Sequence, residues 1–286
     1  MVRSMNVKLT SKLVATAAGG VVALVAAILV AFVLGRTSRT SAYPKDGFFK
    51  SYAVFDQTIV EMPSPAVEKA AKDGAVVLIA VSPIEEHGPH LTLGTDIYEA
   101  MFFTRGVRQD LGSRGIQAVI APPLYRGVNN ATGGFAGSFT VRPKTMQSLF
   151  EDVIASLQSW GFRRFYVISV HGDPAHIARL NEAVDSAGKR SHVSIETITV
   201  PWDAAPFPPK LQTDVHAGAF ETSFMATIYP GEVNAGLARK LPTQNSFYPR
   251  GYWGSPARYT TKGVRAYLDA VVAEMTDEVV QKEKAG

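Results

Sequence analysis

The chain has 286 residues, 46% of them hydrophobic and 19% charged, with a formal charge of +4 and no cysteine. That length and apolar content suit one large α/β domain rather than two small ones and exclude a disordered chain. The missing cysteines exclude disulfides, zinc thiolates and cysteine nucleophiles, and much of the positive charge (Arg3, Lys8, Lys12, Arg36, Arg39, Lys45) flanks one apolar run instead of forming a basic stripe, so the composition is not that of a nucleic-acid binder.

Residues 1–12 form a basic stretch expected on the cytoplasmic side. Residues 13–34 follow without a charge. As a helix that run reaches about 33 Å, against a hydrocarbon core of roughly 30 Å. It reads as a transmembrane anchor, with a cleaved signal segment ending near Thr40-Ser41-Ala42 as the competing reading. Both readings put the bulk of the chain outside the cytoplasm, periplasmic or extracellular, anchored in the first case and secreted in the second. Residues 35–49 read as a polar linker, and the globular domain is expected over 50–286.

Within that domain short apolar runs alternate with amphipathic ones. Ala75–Val81, Ala118–Ile120, Arg164–Val170 and Val193–Val200 are rich in Val and Ile and nearly continuous in apolar character, as strands buried on both faces are. Helices are predicted from Asp96 to about Leu111, over Lys144–Trp160 after Pro143, over Pro174–Ala187, over Ala217–Ile228 and over Gly263–Lys284. The β-α-β-α order implies a three-layer α/β/α domain with a mostly parallel sheet. In such a sheet ligands bind at the carboxyl ends of the strands.

Three clusters of chemistry-bearing residues fall at strand or helix ends. After the first strand, residues 85–96 carry Glu85, Glu86, His87, His90 and Asp96, with Gly and Pro setting the turn. Glu85 and His87 share a direction in an extended segment, and Asp96 opens the next helix. After the third strand comes His171-Gly172-Asp173-Pro174. The third cluster runs from Asp214 to Ser223 and holds His216 and Glu221. Five of the six histidines lie in these clusters or, for His176, two residues beyond one, a density that favours function over the structural role a single histidine usually has. Imidazoles with carboxylates form a metal site when thiolates are absent, and they suit zinc, manganese or iron. His90 is read as orienting a ligand and His176 as structural. Asn130-Ala131-Thr132 is read as part of a glycine-rich turn rather than a glycosylation site.

Glu85-x-His87-Gly88-Pro89-His90-Leu91-x-Leu93-Gly94-Thr95-Asp96 resembles the signature of the creatininase (creatinine amidohydrolase) family. His216-Ala217-Gly218-x-x-Glu221-Thr222-Ser223 is similar to that family's second signature. Pro122-Pro123-Leu124 and Gly134 to Phe139 resemble its intervening stretches. The resemblance implies a two-metal site in a three-layer α/β domain, with Glu85, His87, Asp96, His171 and Asp173 as metal ligands and Asp96 bridging. It also implies two divalent ions, Zn2+ or Mn2+ with Fe2+ as a further choice, and His216 and Glu221 as the proton-transfer and positioning pair. Glu221 is an alternative ligand where no acid near Asp173 serves.

The expected function is metal-dependent hydrolysis of a C–N bond in a small cyclic amide or related substrate, using a metal-activated water. The alternatives are a peptidase-like or other hydrolase on the same fold, or a membrane-tethered binding protein without catalysis. The expected partners are a small-molecule amide, the membrane through residues 13–34, no nucleic acid, and further copies of the chain in a homo-oligomer, as in relatives.

Overall fold

The computed structural model describes residues 53–207 and 214–285. The basic stretch, the apolar run and the linker expected over 1–49 lie outside the described residues. Among the described residues no helix is long and apolar enough to cross a membrane.

The domain is built on four parallel strands, β1 (Val76–Ala80), β2 (Ala118–Ile120), β3 (Arg164–Ile168) and β4 (Ser194–Ile198), in the order β2-β1-β3-β4. Every residue of β1 is buried. Because side chains alternate across a strand, Val76, Leu78 and Ala80 join one core, while Val77, Ile79 and Val81 join the other. Fully burying each large aliphatic side chain contributes about 1.5–3 kcal/mol. A continuous apolar run with this period therefore holds only with helices on both faces.

One face is covered by α1 (Ser64–Lys72), α3 (Pro143–Ser159) and α4 (Pro174–Ser191), the other by α2 (Thr95–Ser113), α5 (Ala219–Ile228) and α7 (Val264–Ala285). A short α6 (Ala235–Ala238) joins the last two. The expected α/β/α layering and parallel sheet are present. Helix α1 was not predicted, because it buries only Ala70 and Ala71 and shows no stripe of large apolar residues. The helix expected from Ala217 begins two residues later. Ala217 has φ of 47° and Gly218 is extended, so neither fits a right-handed turn.

From β1 the chain crosses through α2 to β2 on one side, then returns to place β3 on the other. The strand order thus reverses between β1 and β3. A crevice opens where such a reversal occurs, outside the carboxyl ends of those two strands.

Candidate metal centre

The segments that leave β1 and β3 enter this crevice together. Glu85 and His87 come from the loop after β1, Asp96 from the first turn of α2, and His171 from the segment between β3 and α4. All four are buried. His171 Nδ1 lies 2.8 Å from Glu85 Oε2 and 2.9 Å from Asp96 Oδ2. His87 Nε2 lies 3.1 Å from Asp96 Oδ1 and 3.8 Å from Glu221 Oε2. Donor atoms within 4.8 Å of one another therefore form the triads Glu85–Asp96–His171 and His87–Asp96–Glu221, and Asp96 belongs to both. Glu85, His87 and His216 form a third such group.

Each imidazole is aimed by its other nitrogen. His171 Nε2–H donates to the Val128 carbonyl at 3.2 Å, and His87 Nδ1–H donates to the Glu85 carbonyl at 3.1 Å. His216 Nε2–H donates to the Glu86 carbonyl at 2.7 Å, and a backbone bridge to Trp253 holds the segment that carries it. Backbone anchors of this kind determine which ring nitrogen faces a cation. For His171 that nitrogen is Nδ1, and for His87 it is Nε2.

The carboxylates are oriented too. The Thr132 hydroxyl donates to Glu85 Oε1; Ser138 donates to Thr132 at 3.1 Å and accepts from the Glu86 N–H at 3.0 Å. Glu221 accepts from the Ala217 N–H. The left-handed backbone at Ala217 costs about 1 kcal/mol or more, and it turns that N–H onto the carboxylate. Gly127 is required for a different reason. A Cβ there would lie 2.5 Å from His176 Nδ1, which accepts from the Val128 N–H that helps hold the His171 anchor.

The electrostatics are those of a pocket short of positive charge. Burial alone would lower His87, yet the carboxylates of Asp96, Glu221 and Glu85 hold it well above the ordinary imidazole range. Against the same burial penalty, Asp96 and Glu85 raise His171 to about 10. Burial would raise Asp96, and the two imidazoles hold it well below the usual carboxylate range. Burial raises Glu221 and also Glu99, to whose shift Glu221 and Asp96 add. Asp96 Oδ2 is buried without a hydrogen bond of sound geometry. Asp96 lies between two imidazoles, and a donor set of imidazole nitrogens and carboxylate oxygens fits a divalent ion.

Two expected residues sit differently. Asp173, expected as a ligand, belongs to none of the donor groups among the described residues. Its carboxylate caps α4 through the Ala175 N–H at 2.8 Å and accepts from the N–H groups of Asn130 and Ala131 at 2.7 and 3.1 Å. Backbone donors of a helix start and a loop occupy both oxygens. Glu221, expected beside His216 or as the alternative ligand to an acid near Asp173, stands in the second triad. His90 does not touch a donor residue; it bonds Thr222 at 2.8 Å and so ties the β1 loop to α5. Glu99 was missed, although its position one helical turn after Asp96 puts both acids on one face of α2. Thr132 was missed as a partner of Glu85, since nothing local in a glycine-rich turn marks a contact 47 residues away.

The profile of the creatininase family, described as creatinine amidohydrolase, matches residues 60–279. The chain belongs to the creatininase family. It is 29% identical over 212 residues to the mycofactocin precursor peptide peptidase of Mycolicibacterium smegmatis, a match covering 68% of this chain and 81% of that protein. It is 25% identical over 186 residues to the creatinine amidohydrolase of Pseudomonas putida, covering 58% of this chain and 69% of the relative. A solved structure of creatininase with Mn superposes with a TM-score of 0.67 at 19% identity, covering 79% of this chain and 98% of that one. Creatininase-family members are hydrolases acting on C–N bonds, and this domain has their fold.

Proposed function

We propose that the chain is a metal-dependent amidohydrolase that cleaves a C–N bond of a small cyclic amide or a related substrate. The observation that carries this reading is Asp96, whose two oxygens serve two donor triads. Glu85, Asp96 and His171 would hold one divalent ion, and His87, Asp96 and Glu221 the other, as zinc or manganese. Such a pair supplies Lewis-acid polarisation of the amide carbonyl and activation of water. The protein's own part is positional. The hydroxyl chain through Thr132 aims Glu85, and the Val128 carbonyl aims His171. His216, bonded to the Glu86 carbonyl and with its ring 4.3 Å from that of His87 at a tilt of 42°, is placed to pass a proton to the leaving nitrogen.

Elemental analysis of the purified chain should give two equivalents of divalent ion, falling to one or fewer in Glu85→Ala. Chelation should remove amide hydrolysis, and added metal should restore it. Full turnover by metal-stripped protein would overturn the reading.

A second reading, peptide-bond hydrolysis, is supported by the 29% identity to a precursor peptide peptidase. A panel containing creatinine, cyclic imides and short peptides separates the two. Retained metal without turnover on any of them would favour a binding protein. We also propose that residues 13–34 tether the domain outside the cytoplasm, supported by their uncharged apolar sequence, and that the domain assembles into a homo-oligomer. Fractionation and sedimentation of the full chain test these two proposals.

A further inference from the structure

A cavity of about 770 Å³ lies against the donor cluster. Its wall combines the acids Glu99, Asp203 and Glu221 with the rings of Trp202, Phe207 and Phe220, and no Lys, Arg or His is among the described lining residues. The acids differ in what they are free to do. Asp214, also on the wall, is engaged by the backbone N–H groups of Ala219, Phe220 and Ser255. Glu221 accepts from Ala217 and faces His87. Asp203 is exposed at the rim.

Glu99 is the exception. It is 2% exposed, its Oε1 has no hydrogen-bond partner, and it belongs to none of the metal-donor groups. A buried acceptor left without a donor costs about 1–3 kcal/mol, and more when charged. Rigid α2 carries Glu99, so the group cannot retreat to solvent. Glu99 also lines the cavity, so an occupant there is placed to supply the missing donor. Burial and the Glu221 and Asp96 carboxylates push Glu99 up and favour its neutral form. A cation beside it restores the charge, and aromatic faces beside an acid favour such a cation.

We propose that Glu99 is a specificity-determining residue that receives a protonated amine or guanidinium on the substrate. The substrate class is then amides or short peptides bearing a basic group next to the scissile bond. This rests on the hydrolase reading above and names the substrate of the same cavity.

The test uses the full-length, metal-loaded chain and matched substrates that differ only in the charged group, lysyl and norleucyl amides. A charge-assisted hydrogen bond predicts kcat/KM higher by roughly 10–150-fold for the lysyl amide. Glu99→Gln should bring that ratio to within about threefold, with two equivalents of metal retained. Equal rates in the wild type, or a ratio unchanged in the variant, would overturn the proposal. Loss of metal in Glu99→Gln would make it a ligand and also overturn it. If no amide is hydrolysed at all, the hydrolase reading fails separately, and calorimetry with n-butylammonium against n-butanol decides the cavity's preference. Tighter binding of the ammonium, weakened in Glu99→Gln, supports the proposal; equal binding sinks it. If Glu99→Gln does not fold, Glu99→Asp takes its place in each assay.

Discussion

Helices α2 and α4 both start at the carboxyl end of the sheet, and each carries an aspartate near its first turn. The two aspartates have opposite fates. Asp173 precedes Pro174 as the N-cap of α4, and three backbone N–H groups claim its oxygens. Asp96 sits inside the first turn of α2, where Gly94 is the cap residue and no backbone donor claims the carboxylate. Its oxygens are therefore left for His87, His171 and any cation between them. An acid at a helix start is free to face a cation only when the backbone does not already use it.

The sharpest way to break this comparison is to exchange charge for amide at both positions. Asp96→Asn should lose metal and lower kcat/KM by roughly 10³-fold or more, because a bridging ligand serves both ions. Asp173→Asn should keep both equivalents. Elemental analysis with steady-state kinetics reads both, and the reverse pattern would refute the assignment.

His176, three residues after Asp173, extends the contrast to pH. Burial, with a smaller contribution from His171, lowers its pKa to about 4, so it is neutral where it accepts from Val128. The unfolded chain takes up a proton near pH 6.5 and the folded chain only near 4. Stability present above pH 6.5 is then lost as pH falls to 4, by on the order of 2–3 kcal/mol. Urea unfolding of chelated protein should show this slope, and His176→Gln should reduce it without abolishing it, because burial lowers His90 to about 3 and adds a slope of the same sign.

On the α2 side, Thr132→Val removes the hydroxyl that aims Glu85. Metal affinity should drop roughly 10–100-fold, as seen by competition with a chelating dye, with the fold intact. An unchanged affinity would mean that Glu85 is held without it. The smallest effect is expected at Asp173→Ala. Loss of the cap should cost about 1–2 kcal/mol in thermal or urea denaturation, with metal content unchanged.

Much of the architecture was legible along the chain. β1 and β3 were visible as Val- and Ile-rich runs, and α3, α4 and α7 by their periodicity and their Pro and Gly boundaries. Helix α1 was hidden because two alanines are all it buries. The candidate site was legible where its chemistry is dense, since Glu85, His87, Asp96, His171, His216 and Glu221 fall in the groups of donor atoms that the fold brings together. At Asp173, for which the resemblance implied a ligand role, the carboxylate accepts from the nearby Ala175 N–H and from the N–H groups of Asn130 and Ala131, 43 and 42 residues away.

The amino-acid sequence by itself determined the strands, most of the helices and the residue types that gather at the strand ends, since hydrophobic period and turn chemistry are local properties. Only the tertiary structure decided which acids are left unsatisfied. That choice depends on contacts between segments far apart in the chain, such as Thr132 on Glu85 and Asn130 on Asp173. It depends equally on burial, which leaves Glu99 Oε1 without a hydrogen-bond partner.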